Sequence, residues 1–503
     1  MKLPVLLLFT PIISAQLPLC PNYADYSKTR HPPFTSGIHS LPFQRPPPHC
    51  RTFNSSAVES HIVQLKSEIA DPDLAQLFEN AWPNTLDTAV RWFGRGAEDD
   101  EELAFIVTGD INAMWLRDSA AQVRAYLRVL EPDHEGEEPS VGYKVGKAEG
   151  DTASLAALFR GVINLQARYI LSSPFCNAFQ PPAEAGIPRG VNEFAMADAV
   201  APPPNGETVF ECKFEIDSLA AFLHLSADYH DATHHTAFFS SAKNWLPAIR
   251  TILSTLRTMQ SPTYDPQNGT VLPAGYTFQR QTTRATETTD NDGRGHPARR
   301  TGMVRTAFRP SDDAAALPYN IPGNMMIVTG LARAATIADA VGDKSLADKM
   351  RALQGEIDEA VKKFGIVPIL TESGDIERVY AYEVDGFGSA LHMDDANVPS
   401  LLSIPLLGYS SSTDEVYLRT RARVLSPEGN GYLMRGPALS AVGGPHVGPG
   451  WAWPMASIVR VLTAEMDDEI RGELKALVGS TSGLGLVHES VNTQDGGQWT
   501  RQW

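Results

Sequence analysis

The sequence of 503 residues is short of positive charge, contains only four cysteines and lacks the signature motifs of several common enzyme classes. Its formal net charge of −17 argues against nucleic acid or an anionic membrane surface as a partner, because both require a basic face. No GxSxG, Walker, HExxH or GxGxxG pattern stands in a suitable context, which argues against serine hydrolases, nucleotide-binding proteins and zinc proteases. An acidic protein remains compatible with a neutral substrate such as a sugar.

Beyond the N-terminus, no apolar run is long enough for a membrane anchor, and residues 1–15 are predicted to be a secretory signal peptide. Lys2 precedes the mostly apolar residues 3–14, and Ala15-Gln16 provides a small-residue cleavage point. About 13 apolar residues are too few to span a bilayer, which needs roughly 20. The predicted localisation is therefore extracellular, with an apolar tail on a cytosolic protein as the alternative.

The cysteines all follow the predicted cleavage point, and none forms a CxxC metal pair: they are Cys20, Cys50, Cys176 and Cys212. In an oxidising compartment they favour two disulfides, and nearest-neighbour pairing is the simplest of the three connectivities. Free buried cysteines are the alternative. Two N-glycosylation acceptors agree with secretion, namely Asn54-Ser55-Ser56 and Asn268-Gly269-Thr270.

The chain divides into a proline-rich extension, residues 16–54, and a long segment with helical periodicity, residues 55–503. The extension is predicted to wrap or trail without regular structure. In the long segment, apolar residues recur at the spacing of one helical face. Helices are predicted near 57–80, 116–130, 155–169, 215–230, 236–258, 328–338, 346–361, 398–407, 413–424, 452–467 and 469–478, with Gly479 as the C′ residue of the last. Strand signals are confined to 379–382 and to 270–278, one possible arm of a hairpin.

Roughly a dozen helices joined by short β segments predict an all-α fold of antiparallel helix pairs arranged in a ring, an α/α toroid. The content of 43% hydrophobic and 20% charged residues is that of a globular protein. A plain helical array is the alternative, although no repeat of about 34 to 47 residues recurs. A toroid collects its long loops at one end, where a binding pocket is expected.

One candidate site segment, residues 108–119, combines an aromatic ring with charged side chains at the start of a helix. Trp115 offers a stacking face, Arg117 a fork of donors and Asp118 a bidentate acceptor. A sugar ring has an apolar face and a belt of hydroxyls, and it needs this combination. Capping of the helix by Asp118 or Ser119 is the alternative.

Two other segments supply carboxylates suited to acid–base chemistry. Asp312 and Asp313 are adjacent, so that one can be held protonated as a general acid while the other tunes it; a helix N-cap pair is the alternative. Glu489 is the candidate base that deprotonates a water, and an ion pair with Arg501 is the alternative. Two carboxylates flanking a glycosidic bond are the common solution for glycan hydrolysis.

Further candidate binding residues lie in two loops. His392, Asp395 and Asn397 suit hydrogen bonds to sugar hydroxyls, with a loose oxygen and nitrogen metal set as the alternative. Trp451 and Trp453 stand in a glycine-proline turn, where tryptophans are costly to expose. This makes the turn a candidate part of the site, with Trp451 as the candidate sugar-binding residue, and plugging of the barrel floor by the tryptophans is the alternative.

At these residues the sequence resembles glycoside hydrolase family 125, the metal-independent exo-α-1,6-mannosidases, from about residue 55 to the end. The matching motifs, in order, are W-L-R-D-S at 115–119, F-E-I-D-S-L at 214–219, R-P-S-D-D at 309–313, P-G-N-M at 322–325, H-M-D-D-A-N at 392–397, G-W at 450–451 and H-E-S at 488–490. Several separate motifs in the right order make the resemblance specific.

The resemblance implies a six-hairpin α/α barrel that hydrolyses terminal α-1,6-linked mannose of a glycan with inversion, and without a metal or other cofactor. It implies a general acid at one of Asp312 and Asp313 and a general base at Glu489. The residues that would line the mannose pocket are Arg117, Asp118, His392, Asp395, Asn397 and Trp451. The resemblance also implies a further helix after residues 501–503, where this sequence ends.

Two other functions remain open on the sequence alone. One is a calcium-dependent α-1,2-mannosidase or a glucan-cleaving enzyme on a similar barrel. The other is a non-catalytic protein that binds mannose without hydrolysing it. The oligomeric state is not predicted.

Overall fold

The computed structural model describes residues 19–130, 154–371 and 373–502. The predicted signal peptide lies outside the described residues. Helices make up most of the regular structure, and small antiparallel sheets of two or three strands lie in the connections, as predicted. In the described part of the chain, no helix has both the length and the apolar character required to cross a bilayer.

The helices have the following bounds: α1 Tyr23–Tyr26, α2 Ser56–Glu68, α3 Pro72–Ala81, α4 Leu116–Arg124, α5 Leu155–Ser172, α6 Ile216–Thr233, α7 Thr236–Ser241, α8 Trp245–Met259, α9 Asp290–Gly293, α10 Ile321–Ala340, α11 Lys344–Ala360, α12 Glu415–Val424, α13 Pro454–Thr463 and α14 Asp467–Gly479.

The strands have the following bounds: β1 Val90–Arg95, β2 Glu102–Ile106, β3 Met114–Trp115, β4 Ala178–Phe179, β5 Ala199–Ala201, β6 Val209–Glu211, β7 Thr277–Gln279, β8 Tyr319–Asn320, β9 Ile366–Leu370, β10 Ile376–Tyr380, β11 Glu383–Val384, β12 Ala390–Leu391, β13 Leu433–Met434, β14 Ala441–Val442, β15 Trp451–Ala452 and β16 Val491–Asn492. The sheets are β1-β2, β3-β4-β6, β5-β7, β8-β11-β12, β9-β10, β13-β14 and β15-β16.

Helices α5, α6 and α10 lie at the centre of the fold, and most of their residues are buried. Helix α6 packs against α4 and α10, and α10 also packs against α11. Side-chain caps begin two of these helices: Ser154 Oγ accepts from Ala157 N at 3.0 Å, and Asn320 Oδ1 accepts from Gly323 N at 2.8 Å. The mostly helical class is confirmed, and the ring of six hairpins stays a prediction.

Most of the strongly periodic segments are helical as predicted, but the helix predicted at 116–130 ends at Arg124, and the helix predicted at 398–407 is wrong. These residues form successive turns. Asp394 Oδ1 accepts a hydrogen bond from Leu401 N at 2.8 Å, and Asp394 Oδ2 accepts one from Leu402 N at 3.0 Å. A side chain that bonds to backbone donors competes with the helical ladder, so the apolar pattern here marks buried turns.

Two predicted helices are each divided, and one predicted end is shifted. The segment 57–80 becomes α2 and α3, because Pro72 starts a new helix that Asp71 caps. The segment 236–258 becomes α7 and α8. Gly479 was predicted to follow the last helix, but it is the final residue of α14, and Ser480 is the cap.

The strand signals are partly reproduced. Strand β10 pairs with β9 in a hairpin and includes the first two residues of 379–382. Within 270–278, Val271 makes an isolated bridge to Tyr264, and residues from Thr277 onward enter β7. Strand β7 pairs with the distant β5.

The proline-rich extension wraps onto the C-terminal part of the chain, with one helical turn, α1, and otherwise mostly irregular structure. Gln44 Nε2 donates to the Leu484 carbonyl at 2.8 Å, and Gln502 Nε2 donates to Ser27 Oγ at 2.9 Å. The extension therefore supports the segment that carries Glu489.

Both disulfides have the nearest-neighbour pairing that the sequence favours. Cys20 bonds to Cys50 within the extension, and Cys176 bonds to Cys212 in the main domain. Since all four cysteines are paired, the alternative of free buried cysteines is wrong.

Candidate active site

The first turns of α4 and α6 bring charged side chains together at the centre of the candidate site. Arg117 donates from Nη1 to Glu215 Oε2 at 2.8 Å and to Asp217 Oδ2 at 3.0 Å, and from Nη2 to Asp118 Oδ2 at 3.1 Å. Glu215 caps α6 and Asp217 follows in its first turn, where the helix amides favour negative charge. One largely buried cation thus holds three carboxyl groups.

Asp312 joins this group from the turn at residues 309–313. Its φ of +63° is a left-handed conformation that residues other than glycine rarely adopt. Asn177 Nδ2 donates to Asp312 Oδ1 and to Glu215 Oε1, at 3.1 Å each, and Lys213 Nζ donates to the Asp312 carbonyl at 2.9 Å. Strained backbone held in this way is common at functional sites. The acid-side cluster is defined as Arg117, Asn177, Lys213, Glu215, Asp217 and Asp312.

Glu215 and Asp312 interact closely enough to shift each other's pKa. Burial and the negative charge of Asp312 hold the pKa of Glu215 well above its usual value. Although burial acts in the opposite direction, the hydrogen bond with Glu215 and the cations of Lys213 and Arg117 place the pKa of Asp312 below its usual range. Two interacting carboxyls titrate as a pair, so the pair keeps one proton while a single carboxylate ionises.

Asp313 lies on the other side of the same turn and faces a different partner. Its carboxyl is fully buried, and neither oxygen has a hydrogen-bond partner among the described residues. His446 Nδ1 lies 3.6 Å from Asp313 Oδ2. Burial opposes the charge on His446, but the interaction with Asp313 and the charges of Asp312 and Glu489 raise the pKa of His446 to about 9. His446 is therefore a cation that three neighbouring carboxyl groups stabilise electrostatically.

Glu489 is positioned by a small sheet that also carries Trp451. Strand β16 follows Glu489 and pairs with β15, so that Trp451 lies opposite Asn492. Thr500 Oγ1 donates to Glu489 Oε2 at 2.8 Å, and the Glu489 carboxyl is half-buried. The base-side segment is defined as residues 488–502.

Glu489 and Arg501 contact each other through the backbone. Glu489 N donates to the Arg501 carbonyl at 2.8 Å. The Arg501 guanidinium has its Nη1 3.9 Å from Asp110 Oδ1. The neighbouring His488 and Trp499 rings are stacked, with centroids 4.5 Å apart and planes 7° apart, which fixes the two arms of this segment against each other.

A second group of predicted binding residues adjoins Asp313. Asn397 donates from N and from Nδ2 to Asp395 Oδ1, at 3.0 Å each, while Asp395 Oδ2 has no hydrogen-bond partner among the described residues. Burial raises the pKa of Asp395, and the charge of Asp313 adds to the shift. His392 is half-buried at the end of β12, and burial lowers its pKa.

The tryptophans of the site differ in exposure. Trp115 is 6% exposed and packs edge-on against Phe210 at 5.6 Å, so little of the predicted stacking face is open. Trp451 is half-buried and keeps an accessible face, whereas Trp453 is 4% exposed and packs against His446. The plugging role therefore fits Trp453 better than Trp451.

The helix-cap alternatives for the acidic residues are wrong. Helix α4 begins with Trp115 at the cap position, and Ser119 Oγ donates to the Trp115 carbonyl at 2.6 Å. Asp312 and Asp313 do not begin a helix either, because α10 starts at Ile321 with Asn320 as its cap. The acidic side chains are thus free for the interactions described above.

Several residues of the site were not among the sequence candidates: Asn177, Lys213, Glu215, Asp217 and His446. A signal for two of them was present in the cysteine pattern. Asn177 follows Cys176 and Lys213 follows Cys212, so the disulfide places the two residues side by side, and Lys213 N donates to Asn177 Oδ1 at 3.0 Å. Glu215 and Asp217 stand within the F-E-I-D-S-L motif. His446 had no comparable signal.

Comparison with known proteins gives one family. Residues 71–503 match the GH125 family, described as metal-independent α-mannosidases. The sequence is 42% identical over 485 residues to the meiotically up-regulated gene 157 protein of Schizosaccharomyces pombe. The aligned region covers 96% of this chain and 89% of that protein.

The structure is similar to that of a metal-independent α-mannosidase of Streptococcus pneumoniae in a non-productive complex with α-1,6-mannobiose. The two are 31% identical, with a TM-score of 0.74 over 90% of this chain and 95% of that chain. Because the family match covers most of the sequence and the structure agrees with it, we conclude that this chain belongs to glycoside hydrolase family 125, the metal-independent α-mannosidases.

Proposed function

We propose that this enzyme removes terminal α-1,6-linked mannose from the non-reducing end of a glycan, with inversion at the anomeric carbon. The general acid is Asp312 and the general base is Glu489. The observation that carries the proposal is the arrangement around His446. The negative charges of Asp312 and Glu489 both raise the pKa of His446, and Asp312 forms a coupled pair with Glu215, whereas Glu489 is a separate carboxyl. Two carboxyl groups with different surroundings suit acid and base roles.

The exposure of the two aspartates favours Asp312 as the acid. A general acid must touch the glycosidic oxygen, and the fully buried carboxyl of Asp313 has no path to it. Asp312 is partly exposed and belongs to the pair that holds a proton. Asp313 then acts indirectly, by fixing His446 as a cation.

The proposed reaction is a single displacement. Glu489 removes a proton from a water, and the water oxygen bonds to the anomeric carbon on the face opposite the leaving group. The bond from that carbon to the glycosidic oxygen breaks, and this oxygen takes the proton of the Glu215–Asp312 pair through Asp312. Inversion needs the acid and base carboxyls roughly 6.5–9.5 Å apart, so that the water fits between them.

The mannose is held, in this proposal, by the predicted pocket residues. Asp118 and Asp395 accept from sugar hydroxyls, Arg117 donates, and Trp451 contacts the apolar face of the ring. The unpartnered Oδ2 of Asp395 supports such a role, because a buried acceptor without a partner is costly. His392, Asn397 and Trp115 complete the set.

The linkage and the location of the enzyme are also part of the proposal. The α-1,6 linkage is supported by the mannobiose in the pneumococcal complex. An extracellular enzyme is supported by the predicted signal peptide, by the two disulfides and by the exposed turn of the Asn268 glycosylation acceptor. The substrate is then a mannose-containing glycan outside the cell.

Proton NMR of the anomeric signal during digestion tests the proposal. Digestion of α-1,6-mannobiose is expected to release β-mannose first, faster than digestion of the 1,2- and 1,3-linked isomers, with and without EDTA. Early α-mannose would show retention, and loss of activity in EDTA would indicate a metal-dependent enzyme. Mannose binding without hydrolysis would leave a non-catalytic glycan-binding protein. The Glu489→Gln variant is the control for contaminating activity.

A further inference from the structure

A small cavity lies behind the acid-side cluster, and the catalytic proposal gives it no role. Its volume is about 20 Å³, and its lining includes Met259, Tyr276, Arg294, His296, Arg305 and Thr306. A water-sized particle needs roughly 10–15 Å³ on this scale. The enclosed part of the cavity therefore has room for about one such particle.

The most unusual lining residue is Arg305, which is a buried cation without a carboxylate partner. Arg305 is 7% exposed, and none of the ion pairs found among the described residues includes it. The charged neighbours that act on its pKa are Tyr319 and Arg294, neither of which is a carboxylate. Within the described residues, the Arg305 side chain makes a long hydrogen bond of 3.4 Å from Nε to the Met259 carbonyl. A buried charge without a counter-ion is costly, so binding of an anion next to Arg305 would be favourable.

The other lining residues that carry polar nitrogen atoms in their side chains are Arg294 and His296. Burial lowers the pKa of Arg305, and the positive charge of Arg294 adds to the shift. His296 lines the same cavity, and its Nε2 is 3.7 Å from Asp385 Oδ2. Asp385 is not part of the lining, and its Oδ1 is already occupied by three backbone N–H groups.

The neutral polar groups of the lining are occupied within the protein. Tyr276 Oη donates to the Cys212 carbonyl at 2.6 Å and accepts from Phe214 N at 3.2 Å. Thr306 Oγ1 donates to the Phe308 carbonyl at 2.7 Å.

Arg294 is exposed, and its Nη1 donates to the Leu272 carbonyl at 3.2 Å. The Arg305 guanidinium is thus the main donor group of the lining that remains for a bound anion.

We propose that this cavity binds one monatomic anion of the halide type, chloride under ordinary conditions, between Arg305, Arg294 and His296. The anion neutralises the buried guanidinium, which the lining itself does not. The small enclosed volume favours a monatomic anion over an oxyanion.

The position of the cavity gives the anion a structural role next to the catalytic residues. Thr306 Oγ1 accepts from Ile216 N at 3.2 Å, and Ala307 N donates to the Phe214 carbonyl at 3.2 Å, so the segment after Arg305 is bonded on both sides of Glu215. The same segment continues to Asp312. The bound anion therefore stabilises the junction between the two members of the Glu215–Asp312 pair.

A crystal grown or soaked in bromide tests the site directly, since bromide replaces chloride and is located by its anomalous scattering. The expected result is one anomalous peak inside the cavity, near the Arg305 guanidinium. Density for a water in the cavity without an anomalous peak would overturn the proposal, and this outcome does not depend on any variant folding.

Thermal unfolding provides the second test. Sodium chloride and sodium gluconate are compared at equal ionic strength, and stabilisation is expected to saturate with chloride. At a chloride concentration ten times its Kd, the unfolding constant falls about eleven-fold. Arg305→Gln is expected to lose this effect. Arg300→Gln, an exposed neighbour with the same change in net charge, keeps it. A chloride effect that persists in Arg305→Gln would place the anion elsewhere and overturn the proposal.

Discussion

Around Asp312, buried side chains bond to one another in a dense network, whereas Glu489 is half-buried and is bonded by the exposed Thr500. Asn177 and Lys213 donate to Asp312 itself, and Arg117 donates to the neighbouring Glu215, so three different segments of the chain hold this pair. The base-side segment is held instead by one short strand pair and by the N-terminal extension.

This difference follows from the two tasks that we propose. An acid must keep a proton at a pH where a lone carboxyl loses it, and this requires burial and a neighbouring carboxyl. A base that activates water must be reached by water, so it is left partly open. The acid side is therefore expected to be sensitive to small changes in its neighbours, and the base side chiefly to loss of the carboxylate itself.

The largest effect is expected from removing either reacting carboxyl. Asp312→Asn and Glu489→Gln should each lower kcat by roughly two to four decades, because each removes one proton transfer. Asp313→Asn is the matched control, since its buried carboxyl does not reach the substrate, and it should lose less. Hydrolysis of α-1,6-mannobiose measures all three. A greater loss in Asp313→Asn than in Asp312→Asn would reverse the assignment of the acid.

A smaller effect, roughly ten- to a hundred-fold in kcat, is expected for Glu215→Gln, with little change in KM. The amide still donates to Asp312 but cannot share a proton with it. The raised pKa of Glu215 keeps one proton on the pair as pH rises. In the variant only Asp312 can carry that proton, and because the cations of Lys213 and Arg117 lower the pKa of Asp312, the proton is lost at lower pH. The basic limb of the kcat/KM profile should therefore move to lower pH.

Glu215→Asp provides the control for this prediction, because it keeps the carboxyl and shortens the side chain. It should retain the basic limb better than Glu215→Gln. An unchanged pH profile in Glu215→Gln would mean that Asp312 holds its proton unaided.

His446→Gln is expected to reduce kcat/KM by roughly tenfold, about 1.4 kcal/mol of charge stabilisation. It should also change the pH dependence of stability. The folded pKa of His446 is about 9, above the unfolded value of 6.5, so its stabilisation is complete below pH 6.5 and is lost as pH rises through 9. The stability advantage of wild type over the variant, up to about 3 kcal/mol, should therefore disappear near pH 10.

Urea unfolding at pH 6 and pH 10 measures this difference. His234→Asn is the control, because His234 is exposed, lies outside the site and has a left-handed backbone that Asn tolerates. An advantage over His446→Gln that is the same at both pH values would show that His446 is not protonated in the folded enzyme.

Much of the fold could be predicted because the central helices have long, regular apolar patterns. Helices α5 and α10 cover the segments predicted from periodicity alone, and α11 covers all but the last residue of 346–361. The turns at 398–407 could not be distinguished from a helix, since their apolar residues are buried for another reason. There the backbone donors are taken by Asp394, which is a tertiary contact that no local pattern records.

The candidate site was predicted where its residues cluster in the sequence and missed where folding assembles them. Arg117, Asp118 and the Asp312-Asp313 pair stand in polar segments that interrupt the apolar period. His446 became visible only when the structure placed it beside Asp313. The choice between Asp312 and Asp313 likewise depended on the structure, because the two side chains differ in exposure although the residues are adjacent in the sequence.

The two disulfides offer the finest comparison between the acid and base sides. They join residues 30 and 36 positions apart, so each constrains the unfolded chain by a similar amount, about 3–4 kcal/mol. Any difference between their variants in activity must then come from the folded state. Cys176–Cys212 places Asn177 and Lys213 against the acid, whereas Cys20–Cys50 closes the extension behind the base-side segment.

We therefore expect Cys176→Ser/Cys212→Ser to lower kcat several-fold and Cys20→Ser/Cys50→Ser to leave it within about twofold, while both lower the unfolding free energy similarly. The assay is run well below the unfolding temperature of each variant, so that the rate refers to folded enzyme. If the two variants lost activity equally, the Asn177 and Lys213 contacts would not depend on their disulfide. If the extension variant lost more, the base side would be the more sensitive half of the site, because the packing of the extension against residues 482–502 would then control where Glu489 stands.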